Sequence, residues 1–147
     1  MSALYYEDVI VGSRFVVAPR TVTAQDIDLF ATVSEDRHPI HTDDTYAAAS
    51  PFKRRIAHGP FGIALAIGLF GKLPEFADTA LAMIDLDSWK FLKPVFIGDK
   101  LSLELLITGK SLTQSGRAII GRHMRLINQE EVVVQEGNSS LLIARRP

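Results

Sequence analysis

Residues 34–43 read Ser-Glu-Asp-Arg-His-Pro-Ile-His-Thr-Asp, and Ala57-His58-Gly59-Pro60 follows after a short helical stretch. The first segment offers a carboxylate, Asp36, and an imidazole, His41, on one tight loop. The second opens a strongly apolar helix with a glycine. These three parts could supply an acid, a base and an oxyanion-stabilising amide, and no other stretch concentrates chemistry in this way.

Asp36 falls just past a predicted helix C-terminus, where the helix dipole disfavours a negative charge by roughly 0.3–1 kcal/mol. That placement suits proton exchange, although aspartate is also an ordinary loop residue. His41 lies across Pro39, whose fixed φ stiffens the loop, and histidine titrates near neutrality. Its simpler role is a surface residue that helps cap the next helix. The Gly59 amide precedes a proline-initiated helix, so it is unpaired and sits at the positive end of the dipole. One such donor is worth roughly 10²–10³ in rate when it meets a developing oxyanion. The simpler need for glycine there is a sharp turn into a buried helix.

The elements that must hold these groups are legible from periodicity. Arg14 to Val22 is a short β-like stretch, with Pro19 marking an edge or bend. Thr23 is an N-cap with Asp26 placed to reach back, and Ile27, Phe30 and Ala31 follow at helical spacing. Pro39 biases His38 towards extended geometry, so this helix should end by about Arg37. Thr42 or Asp43 caps a second short helix through Ala49, which Pro51 stops. The third helix starts at Pro60, runs to about Lys72 and is apolar all round, so burial on every side is expected. Strands follow: Trp89 to Phe96 before a Gly98-Asp99 turn, an alternating run through Leu101, Leu103, Leu105 and Ile107, Ala118 to Ile127, and Val132 to Ala144. Turns fall at Ser115-Gly116 and Asn128 to Glu130, and Gly109 is also taken as a turn glycine. Helices segregated from antiparallel strands define an α+β domain, with a sheet curled around the one apolar helix.

Bulk properties narrow the function classes. The chain has 147 residues, 47% hydrophobic and 22% charged, which suits one globular domain over residues 1–147 rather than a disordered chain. A net charge of −1 with interleaved signs gives no basic nucleic-acid face. There is no cysteine, which removes disulfides and thiolate metal sites and fits a reducing, cytoplasmic setting. Residues 1–12 lack the basic flank and apolar core of a signal peptide. The longest apolar run, Phe61 to Phe70, is about half of the roughly twenty residues that cross a bilayer.

Asp36-x-His38-Pro39-x-His41 followed by Ile56-Ala57-His58-Gly59 resembles the signature of the MaoC-like dehydratases, including the (R)-specific enoyl-CoA hydratases. Glu7-Asp8, Val11-Gly12 and the stretch from Phe91 to Asp99 are similar to that family as well, so the resemblance spans nearly the whole chain. It implies a hot-dog fold, a long central helix wrapped by an antiparallel sheet. It further implies a homodimer, or a dimer of dimers, with the acyl-CoA in a tunnel at the interface. Asp36 and His41 would hold a water that adds to C3 of a trans-2-enoyl thioester while C2 gains a proton. The product would be an (R)-3-hydroxyacyl thioester, with the Gly59 amide on the thioester oxygen. No cofactor is implied. The family usually carries Asn where this chain has His38, so His38 is kept as a substrate-side residue.

By the same resemblance Ile67 and Phe70 floor the acyl pocket, and their bulk implies short acyl chains. In Lys53-Arg54-Arg55, a solvated loop is the simple reading; contact of Arg54 with CoA phosphates, helped by Lys90 or Lys93, is the sharper one. Asp36, His38, His41, Asp43 and His58 match no helical metal-ligand spacing, so no metal site is expected. Trp89 is read as packing. Two rival functions remain: a hot-dog thioesterase using Asp36, and a non-catalytic acyl-CoA-binding subunit.

Overall fold

The computed structural model describes residues 2–147. A 3-10 turn at Tyr6–Asp8 leads into β1 (Arg14–Thr21), then α1 (Ala24–Ser34), α2 (Pro39–Thr42), α3 (Asp44–Ala48) and α4 (Gly59–Phe70). Four strands complete the order: β2 (Ala80–Phe91), β3 (Lys100–Leu112), β4 (Ala118–Ile127) and β5 (Val133–Ile143). They form one five-stranded sheet ordered β1-β3-β4-β5-β2, with every neighbouring pair antiparallel.

Strands β3, β4 and β5 bury alternate residues, as period-two sequences must when one face is packed. Leu101, Leu103, Leu105 and Ile107 on β3 share the core with Ile120, Met124 and Leu126 on β4. Phe61, Ala66, Leu69 and Phe70 of α4 join them, so the helix lies in the concave face of the sheet. The expected α+β arrangement is therefore observed.

Local chemistry sets the helix ends. Thr23 Oγ1 accepts from the Asp26 amide while the Asp26 carboxylate accepts from the Thr23 amide, the reciprocal cap anticipated for α1. That helix stops at Ser34, inside the bound of about Arg37 set by Pro39, because Glu35 adopts a left-handed φ of 64°. Pro19 falls where the β1–β3 register shifts, between Val17 and Arg20.

Three expectations are corrected, and one, the cap of the second short helix, is met by the second of its two candidates. His41 does not lie on a loop: Pro39–Thr42 closes a single turn, α2, too short for a periodic signature. The following helix begins at Asp44 with Asp43 alone as its cap, accepting from the Tyr46 amide. Gly109 sits inside β3, beside a register shift, rather than in a turn. The strand assigned to Trp89–Phe96 begins instead at Ala80 and ends at Phe91. Its residues are exposed on both faces of the lone chain, so burial imposes no alternation.

A fourth difference concerns α4. Pro60, Ala64 and Gly68 form an exposed stripe, and a groove of about 450 Å³ opens between α4 and the Leu29–Val33 face of α1. The helix is apolar throughout, yet the residues on this stripe are all small, so exposing them loses little burial.

β2 is an edge strand with three register irregularities against β5, and at the last of these Trp89 folds over Gly137. A Cβ at position 137 would stand 2.6 Å from the Trp89 ring and 2.7 Å from its Cα. Because part of the obstacle is backbone, Gly137→Ala should destabilise the protein by about 1–3 kcal/mol. Urea unfolding of the two proteins measures this directly.

Candidate active site

The turn that carries Asp36 and His41 is held by three backbone attachments. His41 Nδ1 lies 2.7 Å from the Ile56 carbonyl oxygen, which can only accept, so Nδ1 carries the proton. Nε2 is left with a lone pair, and it stands 3.9 Å from Asp36 Oδ2. That separation exceeds a direct hydrogen bond and matches a water touching both groups. His58 Nε2 lies 2.8 Å from the Asp36 carbonyl oxygen and ties this residue to the start of α4. Arg55 completes the frame: its Nε donates to the His41 carbonyl oxygen at 2.5 Å and its Nη2 to Asp28 at 2.5 Å.

Burial differs sharply across the pair. The Asp36 side chain is 53% exposed, whereas that of His41 is 12% exposed. Burial pushes the His41 pKa below its ordinary value, outweighing the Ile56 carbonyl and the Asp36 charge, which favour the proton. His41 is thus a neutral imidazole at neutral pH, with a basic nitrogen facing the carboxylate.

Gly59 begins α4, with Pro60 after it, as expected for a helix opening at this point. Among the described residues no protein group accepts from the Gly59 amide. The Phe91 ring packs so closely that a Cβ at position 59 would lie 2.9 Å from it. Gln135 of β5 is buried against α4: its Nε2 donates to the Gly59 carbonyl and its Oε1 accepts from Trp89 Nε1. Trp89 is packing, as read from the sequence, and is tied to the site through Gln135.

His38 caps α2. Its Nδ1 accepts from the Ile40 amide at 3.1 Å, the service that an asparagine oxygen would perform. Its own amide donates to Asp36 Oδ1 at 3.3 Å. Arg54 and Lys93 line one cleft of about 380 Å³, and the Arg54 guanidinium stacks 4.0 Å above the Phe96 ring. Arg55, read as part of a solvated triplet, is instead buried and committed to His41 and Asp28. Ile67 and Phe70 line a separate cavity at the other end of α4.

Asp36, His41 and His58 each offer a ligand atom within 4.8 Å of the others, a grouping that spacing along the chain did not suggest. The two imidazoles, however, stack at 3.9 Å and 25°. Their lone pairs run side by side in nearly parallel planes, whereas zinc-type coordination needs them to converge at about 2.0–2.1 Å. The arrangement suits a bound water better than an ion. His58 and Gln135 were not read from the sequence as positioning groups; each acts 22 or more residues away, beyond any local pattern.

Known proteins bear on this geometry. The model of the MaoC like domain family matches residues 10–125. The (R)-specific enoyl-CoA hydratase of Rhodospirillum rubrum is 36% identical over 106 residues, 71% of this chain and 70% of that protein. The crystal structure of a MaoC-like dehydratase from the same organism superposes with a TM-score of 0.85 at 30% identity, covering 99% of each chain. A double-hotdog protein of Mycobacterium tuberculosis, 18% identical, shares the fold with a TM-score of 0.84 over 99% of this chain and 45% of that one. The fold is a hot-dog fold, and the chain belongs to the MaoC-like family. It is an enzyme of the hydro-lyase class, which its named hydratase and dehydratase relatives share.

The lowered His41 pKa has a sign that can be tested. Below about pH 6.5 the unfolded chain takes up a proton that the folded site resists, so folding stability must fall as pH drops through that window. Urea titrations at pH 7.5 and 5.5 should show this loss, and His41→Gln should show a shallower one.

Proposed function

We propose that the protein catalyses reversible hydration of trans-2-enoyl-CoA to (R)-3-hydroxyacyl-CoA. The observation that carries this reading is the 3.9 Å gap between His41 Nε2 and the Asp36 carboxylate, with the imidazole proton occupied at Ile56. A water in that gap meets two acceptors at once. As its oxygen adds to C3, the pair takes one of its protons, and that proton is passed on to C2, returning the pair to its starting state. Water is a poor nucleophile, and a positioned base contributes roughly 10²–10⁴ in rate. The Gly59 amide, at the positive end of α4, meets the thioester oxygen as enolate character develops. Hydrolysis of the thioester, the rival reaction, would require Asp36 to attack the carbonyl carbon or to direct a water onto it, and the pairing with His41 favours water addition at C3 instead.

Arg54 and Lys93 hold the CoA phosphates, and the guanidinium fork suits that contact. Ile67 and Phe70 floor the acyl pocket and restrict it to short chains. His38 keeps the turn in shape through its cap on α2. The absence of cysteine and of any helix long and apolar enough to cross a membrane, among the described residues, supports a cytoplasmic setting.

The working unit is a homodimer joined along β2. This edge strand is twelve residues long and exposes Leu81, Met83, Ile84, Leu86 and Phe91. Unpaired backbone with apolar side chains is a template for strand addition. A second copy pairs antiparallel under two-fold symmetry, continuing the sheet and walling the exposed side of Asp36 from solvent.

Loss of the conjugated enoyl-thioester absorbance of crotonyl-CoA tests the reaction. The wild type should hydrate it, and Asp36→Asn should be slower by roughly 10²–10⁴; crotonyl-CoA left intact by the wild type would overturn the short straight-chain reading, and a panel of longer, branched and terminally carboxylated enoyl-CoAs left intact as well would overturn the reaction. Light scattering should return twice the chain mass, and Ile84→Asp should shift the population towards monomer.

A further inference from the structure

One buried charge has no part in the mechanism above. The inward positions of β4 are Ala118, Ile120, Arg122, Met124 and Leu126, four apolar residues and one arginine that is 2% exposed. The Arg122 guanidinium lies 4.4 Å from the centre of the Phe70 ring, and its Nη2 donates to Ser139 Oγ at 3.2 Å. Its Nε is buried without a partner. Among the described residues no carboxylate lies within 4.0 Å of it. Burial lowers its pKa to about 10, so the side chain is still a cation at neutral pH.

An unpaired buried cation is an unfavourable core residue, and an apolar side chain of similar volume would fold as well or better. Arg122 is not enclosed by core alone. It lines a cavity of about 270 Å³ with Ile67, Phe70, Ala80, Met83 and Leu141. Two of those residues are the ones assigned above to the floor of the acyl pocket.

Within one chain this cavity lies far from the oxyanion amide, since Phe70 is eleven residues beyond Gly59 on α4, or ~16 Å along the axis. Pairing across β2 changes the relation. Antiparallel strands set the beginning of one beside the end of the other, so Ala80–Met83 of one protomer lies beside the Phe91 end of the other strand. Phe91 packs on Gly59. The cavity of each protomer then faces the opposite catalytic turn, within reach of a short acyl group.

We propose that Arg122 receives a carboxylate at the far end of the acyl group, so that the substrate is the CoA monothioester of a short dicarboxylic acid. This rests on the acyl-CoA and dimer readings above. The guanidinium fork matches a carboxylate in two parallel hydrogen bonds, and Nε is one of the donors that a side-on pair uses. A purely hydrocarbon chain would cover the cation without pairing it, so the same residue selects against ordinary fatty acyl groups.

Binding of saturated analogues tests the assignment without turnover. Isothermal calorimetry on the intact protein would compare adipyl-CoA with hexanoyl-CoA, which have equal chain lengths and differ by a terminal carboxylate. The wild type should prefer adipyl-CoA by about tenfold or more, Arg122→Lys should keep part of that preference, and Arg122→Leu should reverse it. Arg122→Leu should also melt no lower than the wild type, which separates lost recognition from lost folding. Equal affinities, no binding of either thioester, or a preference that survives Arg122→Leu would overturn the proposal. A protein that selects adipyl-CoA through Arg122 yet hydrates no enoyl thioester would keep this site and lose the proposed reaction.

Discussion

The site depends on how closely α4 approaches the sheet at its first turn. Gly59 and Gly62 present no side chain there, and the Gln135 amide fills the place a Cβ would occupy at Gly62, 2.3 Å away. Only because that space is empty can Gln135 reach the Gly59 carbonyl, and only then can Phe91 lie on the same residue. The helix end that carries the free amide is thereby pinned between β5 and β2. A helix packed at ordinary interaxial distance, held apart by side chains, would leave its N-terminus without these anchors.

From that fixed end the turn carrying Asp36 and His41 is built by backbone acceptors rather than by other side chains. His58 reaches from the start of α4 to the Asp36 carbonyl, and His41 reaches from α2 to the Ile56 carbonyl. A carbonyl oxygen cannot donate, so each contact settles which ring nitrogen bears hydrogen. Two stacked imidazoles result, one supporting the loop and the other turned towards Asp36. The exposed carboxylate and the buried ring then differ in hydration as well as in charge, a contrast that suits one water held between them.

Much of this was legible in the residues themselves. The Thr23–Asp26 cap, the alternation of β3 to β5 and the proline-led start of α4 are local signals, and each is found where chemistry placed it. Asp36, His41 and Gly59 were also recognisable, because the tight spacing of the first two and the helix start at the third are local features. What escaped notice is non-local. β2 has no alternation, since apart from Ala80 and Trp89 its residues are exposed in the single chain. Arg55, His58 and Gln135 act through partners that lie 14, 22 and 76 residues away. Arg122 is a different case: its register among Ala118, Ile120, Met124 and Leu126 already turns it inward, so period two alone would have flagged it.

The Arg55 bridge carries a lesson for interpreting natural variation. Asp28 stands on the outside of α1, 59% exposed, and resembles any solvated helix carboxylate. Yet it orients a guanidinium whose other arm holds the main chain of His41. A replacement there would pass for a neutral surface change while altering the neighbourhood of the imidazole from the rear. Diversity at position 28 among sequences of this kind would consequently track changes at position 55, and reading either alone would misjudge which alleles are tolerated.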